Sequence, residues 1–143
     1  MNPFHRMGSY RNEGLTNQSE SDIPETDMVD DLHQFLPLSP AVLRILLALS
    51  SEDRHGYGIM QEVARQSEGQ YKLGPGTLYE NLQKLLEQGI VKESPPRSAA
   101  QDSRRRYCRL TRFGRRLLST EVTRLESVVR AARLHLRPHP ERA

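Results

Sequence analysis

Six apolar residues near the end of the chain, Leu118, Val122, Leu125, Val129, Ala132 and Leu136, are spaced 4, 3, 4, 3 and 4. That is the a/d spacing of a coiled-coil seam, and it predicts one long helix from about Thr111 to Leu136. A chain of 143 residues has room for one domain with a modest core. A helix running about five turns past Phe113 outruns such a core. Its near end can pack on the chain's own interior, but its far end calls for a partner helix, most simply a second copy. Residues 111–137 are therefore expected to be a C-terminal dimerisation helix, with those six residues at the contact and 138–143 as a disordered tail.

The elements before it follow from punctuation and pattern. Ser39 and Pro40 are a helix N-cap and a first-turn proline, so a helix starts at about Pro40. Its body, "AVLRILLALS", is apolar nearly all round apart from Arg44, which places it inside a core packed on several sides. A second helix is expected at about His55 to Gln66, with Ile59, Met60, Val63 and Ala64 inward. A third lies within "LGPGTLYENLQKLLEQG", regular from Thr77 and stopped by Gly89. "IVKES" alternates as a strand, "PPRSAAQDS" reads as a loop, and "RRRYCRLT" reads as the returning strand. The order is helix, helix, helix, strand, basic loop, strand, long helix. This predicts a mainly α fold with a small β-hairpin, a winged helix-turn-helix domain over residues 37–111. Residues 1–36 form an acidic extension, expected to be largely disordered. A short helix at 24–35 could bring Met28, Leu32 and Phe35 to one side of it.

Charge divides the chain in the same way. Residues 1–36 hold two Arg against seven acids, while nine bases between Lys92 and Arg116 meet only Glu93 and Asp102. A basic cluster of this kind is either the footprint of a polyanion partner or a solvated face. The single Cys, Cys108, excludes an intramolecular disulfide framework. No apolar run approaches the length of a membrane span, and the first residues lack the apolar core of a secretory signal. The expectation is a soluble cytoplasmic protein with no membrane association.

The third helix suggests what the polyanion is. Leu78, Leu82, Leu85 and Leu86 fall on one side of it. Gly76, Thr77, Glu80, Gln83, Lys84 and Glu87 fall opposite, with Tyr79 and Asn81 on the flanks. Gly74, Pro75 and Gly76 at its head either make a tight turn or let a bulky body approach the backbone closely. In a helix-turn-helix that body is a DNA duplex, whose major groove receives the N-terminal residues of the second helix of the motif. The free N–H groups of Gly76 and Thr77 suit a phosphate oxygen, and the hydroxyls of Thr77 and Tyr79 are donors of the kind that fix register on the backbone. Arg97, Arg104, Arg105 and Arg106 line the loop of the wing, and Arg109, Arg112, Arg115 and Arg116 extend the positive surface.

The stretch "HGYGIMQEVARQSEGQYKLGPGTLYENLQKLLEQGIVKE", followed by "RRRYCRLTRFGRRLL", resembles the PadR-like family of winged-helix transcriptional regulators. The resemblance rests on His55-Gly56-Tyr57, on Gly76-Thr77-Leu78-Tyr79, on Leu82, Leu85 and Gly89-Ile90, and on Tyr107, Leu110-Thr111 and Gly114. It runs from about Leu38 to Leu118 and is closest to the compact branch with a short C-terminal helix. It implies a homodimer formed through the last helix, binding inverted-repeat operator DNA, usually as a repressor. It further implies DNA contacts from Thr77, Tyr79 and Lys84, a phosphate near Tyr57, and the loop arginines on the wing. Some members bind a small effector at the dimer interface, here lined by Leu43, Leu46 and Val122. Two features depart from the family pattern. Cys108 stands where a second Tyr is usual, either filling an inward position or acting as a thiol sensor among arginines. The acidic extension is the other.

Catalysis has little to rest on. The five His are scattered, no nucleophile stands beside a base, and no phosphate loop follows a strand. His135 and His139 fall short of a metal site, which needs three or four ligands. No catalytic, metal or cofactor residues are expected. The rival reading is a winged helix serving as a protein-interaction module without specific DNA binding, favoured by Glu80 and Glu87 on the outer face of the third helix.

Overall fold

A computed structural model describes residues 32–95 and 105–138. Of the N-terminal extension only its end is therefore described. Residues 32–34 are helical, Leu32 is buried, and the Phe35 ring meets Phe113 edge-on at 5.8 Å. Leu32 and Phe35 thus share the side expected of them, while Met28 lies outside the described residues.

The first helix, α1, spans Pro40–Leu49. Ser39 caps it, its Oγ accepting from the Val42 N–H at 3.2 Å, and Pro40 occupies the first turn. The all-round apolar surface is matched by its surroundings, because α1 touches every other long element described below. Ile45, Leu46 and Leu49 are fully enclosed, and Arg44 escapes the core by lying over the Tyr71 ring at 5.6 Å.

A two-residue strand, β1 (Arg54–His55), leads directly into α2 (Gly56–Gln66). The turn after α2 takes two successive positive φ angles, at Glu68 and Gly69, and Ser67 steadies it by accepting from the Tyr71 N–H at 3.0 Å. Helix α3 runs Pro75–Glu87, two residues earlier than its regular pattern indicated, because Pro75 serves as a first-turn residue behind Gly74. Gly89, at φ 75, ends it.

Strands β2 (Val91–Ser94) and β3 (Tyr107–Leu110) form the expected antiparallel hairpin, and β1 adds to its far side to give the order β1-β3-β2. The third strand is a difference from the expected two-stranded wing. Cys108 sits at the centre, opposite Arg54 on one side and Glu93 on the other. It is fully buried, and burial together with the carboxylates of Glu93 and Asp53 pushes its thiol pKa up. That is the environment of an inward filler. A thiol sensor needs the opposite shift.

Helix α4 spans Arg112–His135. Thr111 stitches its start to the end of α3. The hydroxyl donates to the Gly89 carbonyl at 2.6 Å and accepts from the Gly114 N–H at 3.0 Å. Gly114 is needed there, since a Cβ would come within 2.0 Å of the Ile90 carbonyl oxygen. Two buried carboxylates complete the scaffold. Glu62 on α2 accepts from Arg65 and Gln66 and faces Arg54 at 3.6 Å, and the Arg65 hydrogen bond, the main cause, helps hold its pKa down to about 2. Glu121 on α4 accepts from Arg124 at 2.6 Å and from the Leu38 N–H at 2.8 Å, tying α4 to the segment that enters α1.

Candidate nucleic-acid interface

Helix α3 presents two unlike sides. Leu78, Leu82, Leu85 and Leu86 are buried, whereas Gly76, Thr77, Tyr79, Glu80 and Lys84 are exposed and Gln83 is partly so. A Cβ built on Gly74 or on Gly76 meets nothing within 4 Å. Neither glycine is therefore small because of the chain's own packing. Gly74 provides no side-chain cap, so the first N–H groups of α3 keep their unpaired character at the positive end of the helix dipole.

The acids on this face are engaged by their neighbours. Glu80 lies 3.7 Å from Lys84, one turn on, and Glu87 accepts from Gln83 at 3.3 Å. Asn81 turns back to donate to the Thr77 carbonyl at 2.8 Å. Tyr79 reaches across to α2. Its hydroxyl lies 2.4 Å from where a Gly56 Cβ would stand, so the glycine of the His-Gly-Tyr stretch is the seat on which the α3 tyrosine rests. Tyr57, beside it at the head of α2, is 59% exposed.

The wing is described at its base only, and Arg97 and Arg104 lie outside the described residues. Arg105 and Arg106 are both exposed and precede β3, so strand alternation does not set their directions. Arg106 faces Glu93 at 3.8 Å, and the Arg105 guanidinium lies 2.8 Å from the His55 imidazole. Arg109 does not extend the positive surface, because it grips Asp53 at 2.9 Å. Arg115 donates to the Ser50 carbonyl and stays exposed, as does Arg112, so these two carry the positive surface from the wing onto α4. His55 is the residue that sequence reasoning missed at this surface. It caps α2 through Nδ1, a role usually filled by Ser, Thr, Asp or Asn, so nothing in its type announced the function.

The seam of α4 divides. Leu118 is 7% exposed and belongs to the domain's own core, so it is not available to a partner. Val122, Val129, Ala132 and Leu136 are exposed and Leu125 partly so, joined by Val128 and Leu134, which the heptad spacing had not included. Leu46 is likewise fully buried within the single chain and cannot line a ligand space between subunits. A cavity of about 180 Å³ lies elsewhere, between residues 35–42 and α3, with Phe35, Leu38, Val42, Lys84 and Gln88 in its walls. Among the described residues, no group of three or more His, Cys, Asp or Glu could hold a metal ion, and no helix is long and apolar enough to cross a membrane.

Three helices, a hairpin packed on the last of them and a trailing helix are the frame of a winged helix, and residues 45–120 match the Transcriptional regulator PadR-like family over more than half the chain. The chain belongs to that family. It is a PadR-like transcriptional regulator built on a winged helix. Its similarity to the uncharacterized protein X of Lysinibacillus sphaericus is 29% identity over 85 residues, covering 59% of this chain and 74% of that one. Among solved structures, a transcriptional regulator from Clostridium thermocellum superposes with a TM-score of 0.57 at 20% identity, over 80% of this chain and 99% of that one. A PadR family transcription regulator from Clostridium difficile R20291 gives 0.57 at 22%, over 68% and 99%. Bacillus subtilis PadR in complex with operator DNA gives 0.51 at 19%, over 60% of this chain and 48% of that one. The PadR-like resemblance seen in the sequence thus stands, and at these identities the superpositions speak for the fold.

Proposed function

We propose that this PadR-like regulator is a homodimer that binds an inverted-repeat operator and acts as a repressor. Helix α3 of each subunit enters the major groove by its glycine-bearing end. Thr77, Tyr79, Gln83 and Lys84 face the duplex, the N–H groups of Gly76 and Thr77 meet a phosphate, and Glu80 keeps Lys84 oriented. Tyr57 approaches the backbone from α2, and Arg97, Arg104, Arg105 and Arg106 do so from the wing. The observation that carries this reading is the open space around Gly74 and Gly76, which leaves the backbone at the head of α3 clear for a bulky body to approach. Support also comes from the operator complex of Bacillus subtilis PadR, which shares the fold. Against the protein-interaction alternative, Glu80 and Glu87 each lie beside a neighbour on α3, Lys84 and Gln83, which lessens the repulsion they would offer a phosphate.

Dimerisation rests on the last turns of α4. Past Glu121 the helix continues through exposed Val122, Val128, Val129 and Leu134, about 20 Å of apolar-striped helix beyond the domain core. A small effector bound where two such helices meet α1 would contact Leu43 and Val122. The regulator would act in the cytoplasm.

The test is fluorescence-anisotropy titration against DNA from upstream of the protein's own gene, with a scrambled competitor and three salt concentrations. Tight, salt-steep binding with two subunits per site is the expected result. Absence of binding at low salt would overturn the reading.

A further inference from the structure

At the junction of wing and helix-turn-helix, one imidazole lone pair is asked to serve two donors. His55 Nδ1 is 3.2 Å from the Gly58 N–H and accepts from it, capping α2. Its Nε2 is 2.8 Å from Nη1 of Arg105. A neutral imidazole has one acceptor nitrogen and one N–H, and an arginine is always a donor. With Nδ1 accepting from Gly58, Nε2 carries the proton and points it at the guanidinium. The other tautomer satisfies Arg105 and turns an N–H against Gly58. The imidazolium has no acceptor at all.

Resting on the DNA-binding reading above, we infer that His55 and Arg105 together clamp one phosphate of the DNA backbone, Nε2–H and the guanidinium donating to it side by side. An anionic oxygen resolves the conflict without disturbing the cap, because it accepts from both groups at once. The surroundings favour an anion. The groups facing the imidazole are Arg105 from the wing and the Tyr107 ring, edge-on at 5.2 Å from β3, while the Arg54 guanidinium is turned to Ala48, Ser51 and Glu62. The flanking carboxylates are engaged, Asp53 with Arg109 and Glu93 with Arg106. The head of α2 adds the positive end of its dipole, and exposed Tyr57 stands two residues on. Burial and the charge of Arg105 lower the pKa of His55, which keeps the ring neutral and its Nδ1 free to cap.

The experiment compares the full chain with His55→Ser, Arg105→Ala and the double variant on one operator duplex at three salt concentrations. Serine keeps a helix cap, so the melting temperature of His55→Ser should stay close to wild type. Arg105→Ala should weaken binding about tenfold and lower the salt slope by about one per subunit. His55→Ser should weaken it about fivefold at unchanged slope, and the double variant should bind little worse than Arg105→Ala alone. Normal binding by a folded His55→Ser, or losses that multiply, would overturn the clamp. A second measurement covers a folding defect: imidazole nitrogen spectra of the wild-type protein with duplex must show His55 as the Nε2–H tautomer, and the Nδ1–H form would rule the clamp out. If inorganic phosphate moves that signal and duplex does not, the DNA source is wrong. If wild type binds no duplex, the DNA reading fails and the clamp falls with it, whereas wild-type binding with an indifferent His55 sinks the clamp alone.

Discussion

In the first turns of α4, Leu117 and Leu118 are packed into the domain, while three turns later Val129 and Leu134 stand about half exposed and Leu136 reaches 80%. The same apolar spacing runs through both halves. What separates them is the length of the body beside them, since α4 is buried at Leu117, Leu118 and Glu121 and largely exposed from Val122 onward. The boundary falls at Glu121, a fully buried carboxylate anchored to the Leu38 N–H. A periodic apolar stripe thus reports that something will cover it, and the size of the domain decides whether that something is the same chain.

The comparison breaks most severely at Leu117. Leu117→Ala opens a void against backbone and side chains that cannot follow it, with an expected loss of about 3 kcal/mol. Chemical denaturation at two protein concentrations checks it, because the loss should be the same at both. Beyond the boundary the dependence reverses. Leu125→Glu with Val129→Glu should leave the winged helix folded and raise the dimer dissociation constant at least about thirtyfold, about 2 kcal/mol, measured by sedimentation. A double variant that sediments as wild type would mean that the exposed half of α4 is not the seam.

Much of this division was within reach of the sequence and part of it was not. Ser39-Pro40 located α1 to the residue because cap and proline act locally. Gly89 ended α3 for the same reason, through a positive φ. Leu118 fits the seam by spacing yet lies in the domain's own core, because spacing carries no information about where a domain stops. Strand β1 is two residues long and exists only by pairing with β3, so no periodicity could reveal it. Glu62 and Glu121 each have an arginine three residues on, a spacing common to solvated helix charges, and their burial and their further partners, Arg54 and the Leu38 N–H, appear only in the folded chain. The site shows the same contrast: the polar face of α3 followed from helical geometry, whereas the pairing of His55 with Arg105 spans 50 residues.

Glu121 gives a third, smaller prediction at the boundary itself. Hydrogen bonding from Arg124, chiefly, and from the Leu38 N–H lowers its pKa below the ordinary 4.5, against the opposing push of burial. The folded state therefore favours the ionised carboxylate. Its contribution is complete above pH 4.5 and is lost as pH falls through the lowered value. Glu121→Gln should cost about 1–2 kcal/mol at pH 7, and the gap to wild type should narrow at progressively lower pH. Thermal melts at several pH values read this directly, and a gap constant with pH would place the loss in packing instead.

The smallest stability change is expected where the surface is most exposed, at Gly76. An alanine there meets nothing within 4 Å and improves helix propensity, so the fold should be unchanged or gain a few tenths of a kcal/mol up to about 1. DNA binding should nevertheless weaken, because the new methyl stands between the α3 backbone and the duplex. A tight turn and a close approach make opposite demands of this residue. If the glycine serves the turn, Gly76→Ala lowers the melting temperature and affinity follows it. If it serves the approach, the two measurements part company, a more stable protein holding its operator less well. Gly74→Ala is the internal control one step outside the helix, at the N-cap. Its Cβ also meets open space, so any loss it shows in binding alone would extend the approach surface to the turn itself.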